Sequence, residues 1–433
     1  MKEELKKRIQ ALHSGLIPEG YANTPIGPLP KDWRYARLGD ISEPLTETAG
    51  KDTYETLSIS AGIGFVNQAE KFGKELSGKQ YEKYIVLHKG DFSYNKGNSN
   101  RYPQGCIYRL NDREAAAVPN VFESFRVVGG CPDYYEQLFI SGFLNRQLFR
   151  LINHGVRDDG LLNLTGKDFY SCLLPVPPVD EQHKIVAILK DCDNMIELYK
   201  AKAMQYQGIK KACLDLLFPQ SGSAFPKLRF PDYTAAWEQR KLSDVTESIK
   251  NGYAYKADGN RDHRYKITRI ESISSGVINP EKLGSSDEVN DNYRLKDGDI
   301  LFSHINSLPY IANTALYTAD LGEIYHGMNL LNIRSRQEEI DSHFLLHLLK
   351  KESTRDWFRI IAKPAVNQAS ISTTEVGSFE FLMPRMKEQK KISLVLDNLD
   401  TLITLHQRAS NEYQSLKEAL MQLLQTGVVR VEV

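Results

Sequence analysis

Two stretches of this 433-residue chain concentrate side chains able to grip a polyanion and read the edges of its bases. Residues 93–105, SYNKGNSNRYPQG, offer Tyr94, Asn95, Lys96, Asn98, Asn100, Arg101, Tyr102 and Gln104 with no acid among them. Residues 253–269, YAYKADGNRDHRYKITR, offer Tyr255, Lys256, Asn260, Arg261, His263, Arg264, Lys266 and Arg269. Ammonium and guanidinium groups suit phosphates, whereas amide, guanidinium and hydroxyl groups suit base edges. The same composition also describes a solvated loop with ordinary turn asparagines. Two further segments, 153–163 (NHGVRDDGLLN) and 362–372 (AKPAVNQASIS), add Arg157, Asn163, Lys363, Asn367 and Gln368, and either segment could simply connect a helix to a strand.

Catalytic chemistry finds no foothold beside these stretches. An amino-methyltransferase needs Asn or Asp, two prolines and an aromatic; Val176-Pro177-Pro178-Val179 lacks both ends. The segment 160–168, GLLNLTGKD, has the look of a phosphate loop. Its spacing is one residue too long, and Asp168 stands where Ser or Thr is needed. The run 231–241, PDYTAAWEQRK, supplies Asp232 and Glu238 but puts Arg240 where a nuclease needs lysine. The histidines show no metal-ligand spacing, and Cys106, Cys131, Cys172, Cys192 and Cys213 include no CxxC pair. Scattered cysteines point to a reducing compartment rather than to a disulfide framework or a zinc site. With 55 basic and 55 acidic residues the chain has no global field toward a polyanion, so a nucleic-acid surface has to be a local patch. The start, MKEELKKRIQ, is too charged for a signal peptide, and no apolar run approaches a membrane span. A soluble, cytoplasmic protein with no membrane partner is expected.

The elements that would hold such loops are written in a repeat. PPVDEQHKI at 177–185 returns as PRMKEQKKI at 384–392. A shift of 207 lays Glu181-Gln182 on Glu388-Gln389, Asp193 on Asp400, Tyr206-Gln207 on Tyr413-Gln414 and Lys210 on Lys417, across 37 ungapped residues. Positions 185, 188, 192, 195, 199, 202, 206, 209, 213 and 216, with 392, 395, 399, 402, 406, 409, 413, 416, 420 and 423, repeat every three to four residues. Sustained over five heptads, that spacing is a coiled-coil seam, in which Lys202 and His406 would be the polar exceptions. Each helix would run roughly 55 Å. The upstream prolines and the acids Asp180, Glu181 and Glu388 read as helix starts. Two such seams in one duplicated chain can satisfy each other by pairing antiparallel; two separate amphipathic helices are the alternative.

Ahead of each helix the repeat is weaker but visible. Trp33-x4-Leu38-x-Asp40-Ile41 matches Trp237-x4-Leu242-x-Asp244-Val245, and LHKGDFSYNKGNS (87–99) aligns with LKDGDILFSHINS (295–307). Short β-rich runs separated by Gly, Asn and Asp turns predict two mixed α+β domains of shared fold. The boundaries are an N-terminal helical segment at 1–28, a domain at 29–178, a helix at 179–217, a linker at 218–229, a second domain at 230–384, a helix at 385–425 and a tail at 426–433. Leu5-Lys6-Lys7 and Leu12 match Ile209-Lys210-Lys211 and Leu216, so the chain begins with the end of a repeat and reads as near-circular.

Glu-Gln-x-Lys-Ile after a proline-rich start, twice, each time behind a variable domain, resembles the specificity subunit of Type I restriction–modification enzymes. KKACLDLLFPQ (210–220) resembles the family's first conserved helix end, and LMQLLQTGVVRV (420–431) resembles its C-terminus. The resemblance spans essentially the whole chain. It implies an α+β fold in which two similar target-recognition domains, 29–178 and 230–384, are separated by two long conserved helices forming an antiparallel coiled coil, a pseudo-two-fold duplication. It implies that each domain reads half of a bipartite double-stranded DNA site, and that the helices act as spacer and dock two methyltransferase subunits. It further implies that the chain has no catalysis, cofactor or metal of its own. S-adenosylmethionine would come with the methyltransferase, and ATP hydrolysis and cleavage with the restriction subunits. On that frame the expected DNA contacts are Tyr94, Asn95, Lys96, Asn98, Asn100, Arg101 and Tyr102 in one domain, and Lys256, Asn260, Arg261, His263, Arg264, Lys266 and Arg269 in the other. A protein-interaction scaffold with two diverged domains on a coiled-coil strut is the alternative from another class, and an enzyme with an unseen site is a third.

Overall fold

The computed structural model describes residues 2–73, 78–97, 102–152, 162–254, 264–365 and 368–431. They fall into two units, Met1–Tyr199 with Ala409–Val433 (unit 1) and Lys200–Arg408 (unit 2). A Gly-Asp turn starts the central strand of each. In unit 1, Gly90 adopts φ +97°, a region that disfavours any side chain, and the Asp91 carboxylate accepts the His88 amide at 2.8 Å. The turn feeds strand Phe92–Asn95, which lies in an antiparallel sheet of order Ser42–Pro44, Glu123–Val127, Phe92–Asn95, Cys106–Arg109. From the neighbouring strand Arg126 closes on Asp91 with bonds of 2.6 and 2.9 Å.

Unit 2 repeats this feature by feature. Gly298 has φ +86°, Asp299 accepts the Lys296 amide at 2.8 Å, and Arg334 donates two bonds of 2.7 Å to Asp299. Its sheet runs Thr246–Asn251, Leu331–Ser335, Ile300–Phe302, Thr314–Leu316, the same order with the same antiparallel pairing. The tryptophan-led motifs also fold alike. Arg34–Arg37 pairs with Leu173–Val176, and Glu238–Lys241 pairs with Glu380–Met383. In both, the next leucine amide (Leu38, Leu242) bonds a carbonyl of the opposite strand's lead-in (Cys172, Phe379) at 2.8 and 2.9 Å.

Each unit has its own core. Phe92, Phe125, Phe139 and Phe169 cluster in unit 1, and Phe302, Phe344, Phe358 and Phe379 in unit 2. Both cores draw on both long helices, Val179–Leu217 and Met386–Gln425: Ile185, Leu189, Met421 and Leu424 in one, Leu217, Ile392, Leu396 and Leu399 in the other.

The Glu-Gln pairs lie in the first turns of the long helices, as expected, and they are also buried locks. Gln182 donates to the Pro177 carbonyl and accepts the Cys131 amide, both at 2.8 Å, pinning the entry of helix Pro132–Ile140 to the long helix. Gln389 does the same with the Pro384 carbonyl (2.9 Å) and the Asp341 amide (2.8 Å), at the entry of helix Ser342–Lys350. Glu181 accepts from the Trp33 indole (2.8 Å) and from Arg430 (2.8 Å twice), which also grips Asp32. Glu388 takes a fork from Arg229 at 2.8 and 2.9 Å.

The two long helices pack together antiparallel. In unit 1, Lys417 bonds Asp193 at 2.7 and 2.8 Å, and Tyr199 stacks on Tyr413 with centroids 5.6 Å apart. In unit 2, Lys210 bonds Asp400 twice at 2.6 Å, and Tyr206 meets the edge of His406 at 5.3 Å. One row of the seam lies a residue later than the periodicity suggested. Leu189, Ile196, Ala203 and Leu217 are buried where Ile188, Met195, Lys202 and Leu216 were expected, and Leu396, Ile403, Ser410 and Leu424 shift likewise. Lys202 is exposed and is no seam residue. The two rows carry neighbouring apolar residues, so apolarity alone could not separate them. The true row contains Lys210 and Lys417, which enter because an aspartate neutralises each.

The tail closes on the start of the chain within unit 1. Arg8 donates to the Val428 carbonyl at 2.8 Å, and the Tyr21 hydroxyl donates to that of Gly427. Gly427 sits at φ +67° with the Pro30 ring 2.6 Å from where a Cβ would stand, so only glycine fits there.

Candidate nucleic-acid interface

The loop that leaves the central strand of unit 1 is held from beneath. Tyr94 has no exposed surface: its ring stacks on Phe169 at 4.6 Å and its hydroxyl donates to the Gln104 carbonyl at 2.7 Å, with burial pushing its pKa up. In this conformation it supports the loop and has no face to offer a ligand. Asn95 accepts the Gly97 amide at 2.8 Å and donates to the Ile59 carbonyl at 3.3 Å. Lys96 is only 14% exposed and pairs with Glu123 at 2.5 Å. Its backbone carbonyl accepts the Leu162 amide at 2.9 Å, which latches the loop to the segment ending at Asn163, an exposed residue. Tyr102 is half-buried where the described chain resumes. Asn98, Asn100, Arg101 and Arg157 lie outside the described residues.

In unit 2 the basic stretch occupies a different kind of place. Strand Tyr265–Ile267 pairs with Gly284–Ser286 in a separate two-stranded sheet, and its other edge bonds Tyr325 through the Lys266 carbonyl and the Thr268 amide, both at 2.8 Å. Lys266 is exposed, Arg264 lies over the Tyr265 ring at 5.1 Å, and Arg269, 45% exposed, is 3.4 Å from Glu271. Lys256, Asn260, Arg261 and His263 lie outside the described residues, as does Tyr255.

The segment that follows the central strand of unit 2 is Ser303–Tyr310, and sequence reading had not singled it out. Here the His304 carbonyl accepts the Ile371 amide at 2.9 Å, the counterpart of the latch in unit 1. His304 itself is buried, and desolvation lowers its pKa to about 4. Ile305–Asn306, Gln368–Ser370 and Lys363–Ala365 form a three-stranded sheet in that order. Gln368 is exposed, and Lys363 reaches Glu375 at 2.7 Å while staying largely solvated. Asn367 is outside the described residues. The signal for this surface was present in the alignment of 87–99 with 295–307, but its amides are fewer and no arginine marks it.

Elsewhere the structure explains motifs that resembled catalytic ones. Thr165 caps the short helix Gly166–Tyr170 by accepting the Asp168 amide at 3.1 Å, which accounts for the phosphate-loop look of that segment. Burial raises the thiol pKa of Cys172 to about 12 and of Cys106 to about 11.

The family model described as Type I restriction modification DNA specificity domain matches residues 30–205 and again 235–414. A putative type I restriction enzyme MjaX specificity subunit from Methanocaldococcus jannaschii is 38% identical over 207 residues, 47% of this chain and 48% of that protein. The match thus spans about half the length of that relative. The StySPI specificity subunit from Salmonella potsdam is 23% identical over 436 residues, covering 95% of this chain and 89% of its own. Among solved structures, the S subunit of a Type-I restriction-modification system from M. genitalium superposes with a TM-score of 0.56 at 13% identity, covering 91% of this chain and 96% of that one. A likeness at that identity speaks for the fold.

Proposed function

The chain belongs to the Type I restriction–modification DNA specificity family, and from that membership we propose that it is the sequence-reading subunit, each unit addressing one half of a split double-stranded DNA site. The observation that carries this reading is the duplicated scaffold. In each unit a buried aspartate held by an arginine fixes the central strand, and a backbone latch ties the loop after it to a second polar segment. Two copies of one scaffold with different loops suit two different half-sites. Phosphates would be met by lysines and arginines such as Lys266 and Arg264, bases by the amides and phenols of the loops.

The long helices would set the gap between half-sites and dock two methyltransferase subunits. Among the exposed apolar residues of the helices, Leu198 matches Leu405 and Ile209 matches Leu416 across the repeat, one of each pair in each unit. Such repeat-related residues suit two copies of one partner. The methyltransferase would bring S-adenosylmethionine and the restriction subunits ATP-driven cleavage, the chain itself contributing no catalysis and needing no cofactor. Such a complex would work in the cytoplasm.

Binding-site selection on random duplex DNA, using the chain co-purified with its partners, tests the proposal. A motif of two fixed blocks separated by an unread gap of constant length is expected. With no net charge to attract DNA, the isolated chain should bind weakly and lose affinity steeply with salt. Enrichment of no motif would favour the protein-interaction scaffold, and turnover by the isolated chain would refute the non-catalytic role.

A further inference from the structure

We propose that unit 2 reads bases with the turn at 306–310 and the adjoining strands Lys363–Ala365 and Gln368–Ser370, while the basic stretch 264–269 acts on phosphates. The inference rests on the half-site reading above and assigns its residues.

Three observations lead there. First, the two units share the strand that precedes the reading loop, so the counterpart of 93–105 is the segment after Ile300–Phe302, and not 253–269. Second, the latch has the same form in both: Lys96 carbonyl to Leu162 amide, His304 carbonyl to Ile371 amide, each 2.9 Å. Third, the pattern Asn-Ser-x-x-Tyr occurs at 98–102 and again at 306–310, at the same place in the repeat.

The chemistry of the surface fits a groove. A two-stranded β-ribbon fills the major groove of B-DNA, where an exposed glutamine can pair with adenine and an apolar group can meet the thymine methyl. Gln368 is exposed where the sheet narrows to two strands, paired with Ala365, and in the segment after Ile305–Asn306 Tyr310 and Leu308 are 54% and 48% exposed. Asn306 is spent inside the turn, donating to the Ser303 hydroxyl at 3.1 Å and accepting the Ser307 amide at 2.8 Å, so it is a positioning residue. The stretch 264–269, by contrast, offers cations without an amide and hangs on a separate sheet.

The test is binding-site selection with the partner-bound full chain carrying Gln368→Ala, Tyr310→Ala, or Arg264→Ala with Lys266→Ala. Each of the first two should lose about tenfold of its preference at a base pair in one half-site only. The untouched other half-site reports that the fold is intact. The double variant should weaken binding evenly over all sequences and flatten the salt dependence by about two charges. The proposal is overturned if Gln368→Ala and Tyr310→Ala leave both half-sites unchanged, or if the double variant alters base preference. A wild-type complex that selects no motif would instead bring down the half-site reading, and this inference with it.

Discussion

Asp91 and Asp299 are each about 1% exposed, yet their arginines differ: Arg126 is 48% exposed and Arg334 only 17%. Removing one partner of a buried pair strands the other charge, at a cost of roughly 3 kcal/mol or more, whereas a charge that water can reach loses much less. Asp299 also accepts from Asn332 at 2.9 Å, so its carboxylate is committed to the interior. Arg334→Met should therefore destabilise the protein by about 3 kcal/mol and Arg126→Met by about 1 kcal/mol, read from denaturant midpoints. Equal losses would mean that water reaches both aspartates alike. The glutamate locks diverge in a similar way. Arg430 holds Glu181 and Asp32 together, while the residue corresponding to Asp32 is Ala236 and Arg229 is left with Glu388. None of these buried partners was legible in the sequence as a pair. The recurrence of Glu181 and Glu388 was visible, but not the arginine that a distant segment brings to each.

The long helices were legible as helices, as a repeat and as an antiparallel pair, because a sustained apolar period survives without tertiary information. Which of two adjacent apolar rows faces the partner did not, because that choice is settled by the Lys–Asp pairs across the seam. Those pairs define a test of whether the helices set the gap between half-sites. Removing residues 199–205 together with 406–412 deletes one heptad from each helix between the two pairs, leaving Lys417–Asp193 and Lys210–Asp400 able to form. Each helix shortens by roughly 10 Å. The shortened protein should select the same half-sites across a gap narrower by up to about three base pairs. An unchanged gap would mean that the helices do not set it. Deleting three residues from one helix rotates the row away from its partner and should abolish folding instead.

At the scale of the molecule, the duplicated units differ in how they answer acid. Unit 2 buries His304, His326 and His347, and desolvation lowers all three, the first two to about 4. The described histidine side chains of unit 1, His88 and His183, are not buried. The joint between the long helix and helix Pro132–Ile140 in unit 1, or helix Ser342–Lys350 in unit 2, is also opposite in kind. Lys190 pairs with Asp133 in unit 1, while in unit 2 Asp397 receives His343 at 2.9 Å and His347 at 2.8 Å. A histidine kept neutral in the fold takes up its proton on unfolding at about pH 6.5, so its contribution is complete above that pH and is lost as pH falls toward 4. His343 is raised by Asp397 and runs the other way, its contribution present below about pH 6.5 and fading as pH rises through its folded value, an opposing effect from one group against three. Hydrogen exchange followed from pH 7 to pH 5 should show unit 2 losing protection before unit 1, and His326→Gln with His304→Gln should narrow the difference. Simultaneous loss would contradict this. The two-unit plan itself was readable from the tryptophan and Gly-Asp motifs. The surface proposed to read bases in unit 2 was not, because a cluster of cations stands out in a sequence and a sheet edge assembled from two distant segments does not.

The closure of the tail on residues 8, 21 and 30–33 has a consequence for how the protein is made. Unit 1 takes Met421 and Leu424 into its core and Arg430 into its lock, yet those residues leave the ribosome after all of unit 2. The half that is synthesised first is therefore the half finished last. Until then its Trp33 indole lacks the Arg430 guanidinium that lies 5.6 Å over the ring, and the groove for the second helix stands open. A chain stalled near residue 408 holds one complete unit and one exposed core, the kind of nascent species that chaperones engage.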